Sequence, residues 1–359
     1  MNLDESVHTL VRGMASSAGI GDFHLTQALL GWMQLNKNPL VVLDPSGDER
    51  FRGVQWDPGI RSLLCVPLIV QSRLTGILTV YNSASFNDED QRLLAIIASQ
   101  SAQIIENARL YEEEQAFTRM QEQVRLAGEI QRRFLPETIP EVVGYELAGV
   151  NHQAQMVGGD YFDFIPMAET RMAICLGDVS EKGLPASLLM AYLQATIRLV
   201  TMLESTPDIA MKRANQLIAR STSAEKFVTL FYSTLDWRSH RLAFCNAGHC
   251  APLRLSGREC QRLATRGIVL GVLDTYDYAA GSVELRVGDI VVMFSDGVSE
   301  ALNDADEEFG EPLLLRVLAE HRGESASAIQ SAVIDAVRAH AGKATQSDDI
   351  TLVVIKRTA

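Results

Sequence analysis

The chain has 359 residues, with 32 lysines and arginines against 45 aspartates and glutamates, a net charge of −13. Such a length predicts two domains, each able to bury its own core. A composition of 47% hydrophobic and 21% charged residues excludes a disordered chain. The acidic balance argues against non-specific nucleic-acid binding, because a polyanion is repelled unless a basic patch is set apart. No apolar run approaches the roughly 18 residues of a membrane span, so no membrane insertion is expected. Residues 1–20 lack the basic-then-apolar order of a secretory signal. Five cysteines, an odd number with no CxxC, point to a reduced, cytoplasmic protein without a zinc knuckle.

From about residue 20 to 86 a short helix-like stretch is mixed with strands. Residues 39–43 are a candidate strand, and 63–70 (LLCVPLIV) and 74–81 (LTGILTVY) are β-rich runs. Gln71-Ser72-Arg73 between them predicts a hairpin. Residues 87–136 then predict one long helix. Asn87 is placed to cap it, Asp88, Glu89 and Asp90 fall where negative charge suits the helix dipole, and no proline intervenes before Pro136. About 48 residues at 1.5 Å each span roughly 70 Å, too long to be buried in one small domain. Leu110, Phe117 and Val124 recur every seven residues, as do Met120, Ala127 and Phe134, a short a/d seam with charged flanks. The pattern predicts a coiled-coil linker through which the protein forms a homodimer. Glu113 and Gln131 break the strict heptad, which leaves open a single amphipathic helix folded onto its neighbours.

Residues 142–357 are strand-rich with inserted helices. Residues 171–177 read as a strand feeding a helix over 184–202, and 207–221 as a second helix. Residues 227–236 and 241–247 read as an antiparallel pair, 289–295 and 350–356 as buried apolar strands, and 311–321 and 326–341 as helices.

Four aspartates in this region share a local context: Asp160 in VGGDYFDF, Asp178 in CLGDVSEKG, Asp296 in MFSDGVSEA and Asp348 in QSDDITLVV. Asp178 and Asp296 each end an apolar strand and Asp348 precedes one, so their carboxylates can converge at one rim of a core. Converging carboxylates repel and need a counter-charge. Oxygen-only donors favour a hard divalent cation, Mg²⁺ or Mn²⁺, over zinc. Two such ions about 4 Å apart can activate a water and hold a phosphoryl group for in-line attack. A lone Asp–Gly pair is more simply a β-turn; four such sites in one domain are not. Asp163, in the first block, is either a carboxylate that orients a metal's water or a solvated strand residue. Asn246 and His249 in NAGHCAP read as a turn whose histidine is satisfied by backbone groups, close enough to the site to invite a proton-transfer role. Gly183, Pro185 and Ala186 shape the entry to the following helix, Cys245 and Cys250 are packing residues, and Ser295 and Ser299 lack a triad partner.

The blocks VGGDYFDF, GDVSEKGLPASLLMA, NAGHCAPL, GDIVVMFSDGVSEALN and SDDITLVV, in that order over about residues 142–357, resemble the bacterial PPM-type serine/threonine phosphatases of the SpoIIE and RsbU-like branch. The resemblance implies an α+β fold, a four-layer αββα sandwich with two Mn²⁺ or Mg²⁺ ions at one edge. Carried over, Asp178 would bridge both ions with help from the Val179 carbonyl, and Asp160, Asp296 and Asp348 would complete their shells. Asp349 stands where many relatives have Asn, so either member of the pair could supply the ligand, with Asp348 preferred. The stretch from Asp178 to Gly183 lacks the histidine of the eukaryotic DGHGG block, which leaves the general acid unassigned. The run from RSLLCVPLIV to ENARLYEE resembles the later part of a GAF domain. Residues 1–86 are thus expected to be a GAF-like α/β sensor region lacking its first helix and strands before Gly21. Asn36-Lys37 is not followed by the Phe-Asp-Glu of cyclic-nucleotide-binding GAF domains, so its ligand stays unknown.

The expected activity is metal-dependent removal of phosphate from serine or threonine by metal-activated water, without a phosphoenzyme. The resemblance implies a phosphorylated STAS-domain anti-anti-sigma factor as substrate, and control through the GAF-like region and helical linker. The rival is a non-catalytic pseudophosphatase scaffold in a partner-switching pathway. Loss of two or more of the four aspartates would favour it, and all four are present.

Overall fold

The computed structural model describes residues 27–359 apart from 57, 84, 169 and 224, so the expectation about the chain before Gly21 lies outside the described residues. Two compact units meet at residues 119 and 120. In the first, α1 (Gln27–Asn36) leads into an antiparallel sheet of β1 (Leu40–Val42), β2 (Leu63–Val70) and β3 (Arg73–Tyr81), in that spatial order. Strand alternation divides β2 between two clusters. Leu63 and Cys65 join Leu29, Met33, Leu40 and Val42, while Leu64 and Val66 meet Ala98 on the other face. Burial on both faces is why the run reads as continuously apolar. The β2–β3 turn is tighter than the three residues expected. Only Gln71 and Ser72 leave the ladder, both at positive φ (47° and 66°), which matches a two-residue loop to the strand twist.

The next helix, α2 (Asp88–Arg132), has 45 residues and so is about 68 Å long. Its start is a reciprocal cap: the Asp90 amide donates to Asn87 Oδ1 and the Asn87 amide to Asp90 Oδ2, both at 2.9 Å. It ends four residues short of the expected 136. Over 133–135 the amides bond to carbonyls three residues back, a tightened last turn that leads into Pro136, whose ring disfavours helical geometry at Leu135. Along the helix Leu93, Ile96, Ile104, Leu110, Phe117 and Met120 are each at least half exposed.

The second unit contains, in chain order, β4 (Tyr145–His152), β5 (Tyr161–Ala168), β6 (Arg171–Val179), α3 (Leu184–Leu203), α4 (Pro207–Ser221), β7 (Val228–Asp236), β8 (Arg241–Ala247), β9 (Leu253–Ser256), β10 (Glu259–Arg262), β11 (Gly281–Glu284), β12 (Ile290–Phe294), α5 (Asp296–Ser299), α6 (Gly310–His321), α7 (Ala326–Ala341) and β13 (Ile350–Arg357). The strands form two five-stranded sheets, ordered β10-β9-β12-β13-β4 and β11-β8-β7-β6-β5, with antiparallel neighbours throughout. Period-two alternation assigns each strand's side chains to two layers. Phe162, Ile174, Leu176, Phe231, Val291, Met293 and Val353 fill the space between the sheets. Tyr161, Cys175 and Tyr232 face α3 and α4 through Leu193, Ile197 and Met211. Ile290, Val292, Leu352 and Val354 face α6 and α7 through Leu314, Ile329 and Val333. The result is the αββα sandwich. Among the described residues, α3 is the one helix long and apolar enough to cross a membrane by length and composition; half of it is buried in this unit's core.

Candidate active site

The antiparallel order brings strand ends and strand starts to the same rim. Asp160 immediately precedes β5 and Asp178 is the penultimate residue of β6, with Tyr161 paired to Gly177. In the other sheet, Asp296 follows β12 and Asp348-Asp349 precedes β13, with Phe294 paired to Leu352. Side-chain electrostatics place these groups within reach of one another. Asp160 is almost wholly buried, accepts a short hydrogen bond from Thr351 Oγ1, and titrates well above the usual carboxylate range because of burial and then the Asp178 and Asp349 charges. Asp178 is pushed up to about 7, first by burial and then by Asp296, Asp348 and Asp349. Asp296 is raised by burial and by Asp348. The site thus holds more negative charge than its surroundings offset.

Lys182 supplies the counter-charge that this cleft does have. The turn from β6 to α3 runs through Glu181 at φ 80° and Gly183 at φ 73°. Lys182 Nζ lies 2.7 Å from Asp348 Oδ2 and donates to the Ser347 carbonyl at 2.8 Å. Asp348 therefore faces the cleft. Asp349 lines the same cleft, but its oxygens are held by backbone: its Oδ1 accepts from the Ala154 amide at 2.9 Å and its Oδ2 from Gly159 at 2.9 Å and Asp160 at 3.4 Å. Gly158 and Gly297 are demanded by this close approach, since a Cβ would stand 2.1 Å from Asp349 Oδ2 at the first and 2.1 Å from the Asp349 carbonyl oxygen at the second. Asp178 Oδ1 and the Val179 carbonyl oxygen both lie beside Gly159, within 3.3 Å and 3.1 Å of where its Cβ would be.

The donor set fits a hard divalent cation. It is all oxygen and carboxylate-rich, and Asp160, Asp178 and Asp296 are raised in pKa first by burial and then by neighbouring carboxylates. Among the described residues, no three acidic, imidazole or thiol groups are already gathered as a formed metal shell. Asp160, Asp348 and Asp349 are instead engaged by Thr351, Lys182 and backbone amides.

Other sequence candidates resolve differently. Asp163 is neither solvated nor turned to the cleft. Strand alternation points it at α3, where it is buried, accepts from Tyr161 at 2.8 Å and pairs with Arg198 at 2.8 Å. Asn246 closes the predicted turn, its Nδ2 donating to the His249 carbonyl at 2.9 Å and its Oδ1 accepting from the His249 amide at 2.8 Å. The histidine ring, however, meets a side chain: Nδ1 lies 2.9 Å from Thr229 Oγ1, which is 3.4 Å from the Asp178 carbonyl oxygen. Its Nε2 is buried with only a weak interaction with the Phe294 backbone, and burial pulls its pKa down to about 4, so the ring is neutral at pH 7. Ser295 is tied into the start of β13, donating to the Asp349 carbonyl at 3.0 Å and accepting from the Thr351 amide at 3.0 Å.

Gln131 is the residue that sequence reasoning misjudged. Taken as a break in the heptad, it is buried: Nε2 donates to the Gly158 carbonyl at 2.7 Å and Oε1 accepts from the Gly158 amide at 3.0 Å and Gln153 Nε2 at 3.1 Å. One turn earlier, a Cβ on Gly128 would stand 2.1 Å from the Met156 carbonyl oxygen. The end of α2 thus grips the loop that carries Asp160. The signal for it was a polar residue and a glycine on the otherwise apolar side of the helix.

The αββα sandwich is the fold of PP2C-type phosphatase domains. The SiaA PP2C domain of Pseudomonas aeruginosa superposes with a TM-score of 0.60 at 21% identity, covering 67% of this chain and 98% of that one. The RsbU and RsbW domains of Rv1364c from Mycobacterium tuberculosis superpose with a TM-score of 0.55 at 22% identity, over 63% of each chain. Stage II sporulation protein E (SpoIIE) is the family whose profile matches residues 168–358, just over half of the chain, and residues 4–105 match the GAF domain. The chain therefore belongs to the SpoIIE family and is a PPM-type protein phosphatase with an N-terminal GAF domain. Phosphoserine phosphatase RsbU of Bacillus subtilis (strain 168) is 26% identical over 253 residues, 69% of this chain and 75% of that protein.

Proposed function

We propose that the protein hydrolyses phosphoserine or phosphothreonine on a STAS-domain anti-anti-sigma factor in the cytoplasm, with two Mn²⁺ or Mg²⁺ ions held at the aspartate rim. The observation that carries the reading is the gathering of Asp160, Asp178 and Asp296 from both sheets at one rim, where burial and then neighbouring carboxylates raise all three. Asp160, Asp178 with the Val179 carbonyl, Asp296 and Asp348 would hold the ions. Asp349 is assigned to the loop, since amides occupy both its oxygens. When bound, the ions supply activation of water and neutralisation of phosphoryl charge. Lys182 presents an ammonium at the mouth of the same cleft, where it can meet a phosphoryl oxygen on leaving Asp348. Thr351 holds Asp160, and the neutral His249 braces Thr229 beneath the Asp178 backbone. The substrate class rests on the RsbU-like resemblance, and the likeness to RsbU, a phosphoserine phosphatase, supports phosphoserine.

Control is proposed to run from the GAF domain through α2, supported by the grip of Gln131 on Gly158. A homodimer through α2 is supported by its exposed apolar positions, Leu110, Phe117 and Met120 among them. The test is Mn²⁺-dependent hydrolysis of p-nitrophenyl phosphate and of a phosphorylated STAS protein, with Asp178→Asn as control and sedimentation in parallel. Activity no higher than that of the control on both substrates would leave the scaffold reading standing. A monomer at high micromolar concentration would remove the dimer.

A further inference from the structure

A second concavity adjoins the aspartate cleft and has the opposite character. It has a volume of about 340 Å³ and is lined by two arginines, Arg132 and Arg338, with His152, Gln153, Gln155 and Gln346 among its polar groups and no carboxylate. On a chain of net charge −13, a cavity whose only formal charges are positive calls for a reason. Each arginine sits at a helix C-terminus, Arg132 closing α2 and Arg338 in the last turn of α7. Favourable interaction with the helix dipole explains their presence there, but not why both turn into one cavity. Among the described residues, neither guanidinium forms an ion pair with a carboxylate. Arg338 Nη2 instead lies 3.4 Å from His152 Nε2, and its charge adds to burial in lowering that imidazole's pKa.

The cavity is built rather than incidental. Gln346 Nε2 donates both to the His152 carbonyl and to the Asp348 carbonyl, each at 2.7 Å, so one side chain ties its wall to the aspartate rim. Gln153 is held by Gln131 at 3.1 Å. Gln155 lines both this cavity and the cleft that contains Asp178 and Asp348. Two guanidiniums, together with the side-chain amide N–H groups of Gln153 and Gln155 that remain, match the acceptor oxygens of a carboxylate or phosphate.

We propose that the Arg132–His152–Arg338 cavity is an oxyanion-binding subsite beside the catalytic cleft, taking a carboxylate or phosphate group. Binding of the oxyanion stands apart from the phosphatase reading; its use for substrate rests on that reading. The test uses the full-length Asp178→Asn protein, with inorganic phosphate titrated while the His152 imidazole resonances, assigned with His152→Gln, are followed by NMR. A saturable shift is expected, weakened about tenfold in R338Q and again in R132Q, each step being ~1.4 kcal/mol. No shift up to about 50 mM phosphate, a concentration that would reveal even millimolar affinity, overturns the proposal. A shift that both variants retain in full also overturns it. In wild-type background, R338Q is then compared on phosphoserine peptides with acidic or neutral flanking residues. A selective loss on the acidic peptide assigns the subsite to a substrate carboxylate, and an equal effect on both assigns it to free phosphate. Absence of any hydrolysis with the phosphate response intact sinks the phosphatase reading alone.

Discussion

Replacing Gln131 with alanine tests the idea that the linker helix holds the aspartate loop. The side chain is buried and satisfies both backbone groups of Gly158 while anchoring Gln153. Alanine leaves one amide and one carbonyl without their partner, and each such buried group costs about 1–3 kcal/mol. Water entering the vacated space lowers that toward the bottom of the range, so the expected loss is about 2 kcal/mol. For a unit of this size the melting temperature then falls by about 4–8 °C. Because Gly159 and Asp160 donate to Asp349 from the same loop, slackening it also weakens Mn²⁺ binding, by about tenfold or ~1.4 kcal/mol. Scanning calorimetry with and without Mn²⁺ measures the first effect and titration calorimetry the second. Gln131→Glu is the discriminating control. It keeps an acceptor for the Gly158 amide but sets a carboxylate against the Gly158 carbonyl, so at neutral pH it is expected to be no better than alanine. A melting temperature within about 1 °C of wild type for both variants, with unchanged Mn²⁺ affinity, would refute the reasoning.

Further outcomes follow from the same geometry. Gly158→Ala, whose Cβ would meet Asp349 Oδ2 at 2.1 Å, is expected to destabilise by about 1–3 kcal/mol, whereas Gly31→Ala, with open space in α1, gains about 0.5–1 kcal/mol; urea unfolding reads the opposite signs. His249 is depressed from 6.5 to about 4, so the folded state resists its protonation. Its contribution is full above pH 6.5 and falls by up to about 3 kcal/mol as pH drops toward 4, a slope that His249→Gln removes from urea unfolding curves. Asp178 works in the reverse sense. Its carboxyl is raised to about 7, so without divalent cation it increasingly destabilises the fold as pH rises from about 4 to 7. Asp178→Asn is therefore expected to melt higher than wild type at pH 8 in EDTA, and added MnCl₂ to reverse the order; a wild type that melts higher in both buffers contradicts this account.

What could be read from the sequence depended on how each strand is buried. Strands β6, β12 and β13 have both faces covered, so their apolar runs and the aspartates at their ends stood out. The strand β4, with Glu146, Asn151 and His152 in its half-exposed run, had no such pattern and was not anticipated, although it pairs with β13 along its whole length. Asp163 shared a motif with Asp160, but odd spacing along β5 turned it to α3, and only the Arg198 pairing makes that visible. Asp348 and Asp349 were indistinguishable as letters. Backbone amides separate them, since three donate to Asp349 and the Asp348 carboxylate reaches Lys182. A side chain's partners across 190 residues are outside any local pattern.

The net charge of −13 is thus an average over two neighbouring and opposed environments. One concavity gathers aspartates, with Asp178 raised by burial and then by its carboxylate neighbours; the next holds two arginines and a histidine without a carboxylate. Consecutive residues at the end of α2 reach both: Gln131 binds the loop that carries Asp160, and Arg132 lines the basic cavity. A helix this long transmits displacement of its axis better than it absorbs it, because the backbone hydrogen bonds that would have to break are many. Under the proposed control through α2, a shift of its last turn would therefore alter the aspartate rim and the oxyanion subsite together. Cation affinity and discrimination for acidic peptides should then change in the same direction in Gln131→Ala. Variants that uncouple the two, moving one property and not the other, would show that the helix end acts on the cleft alone.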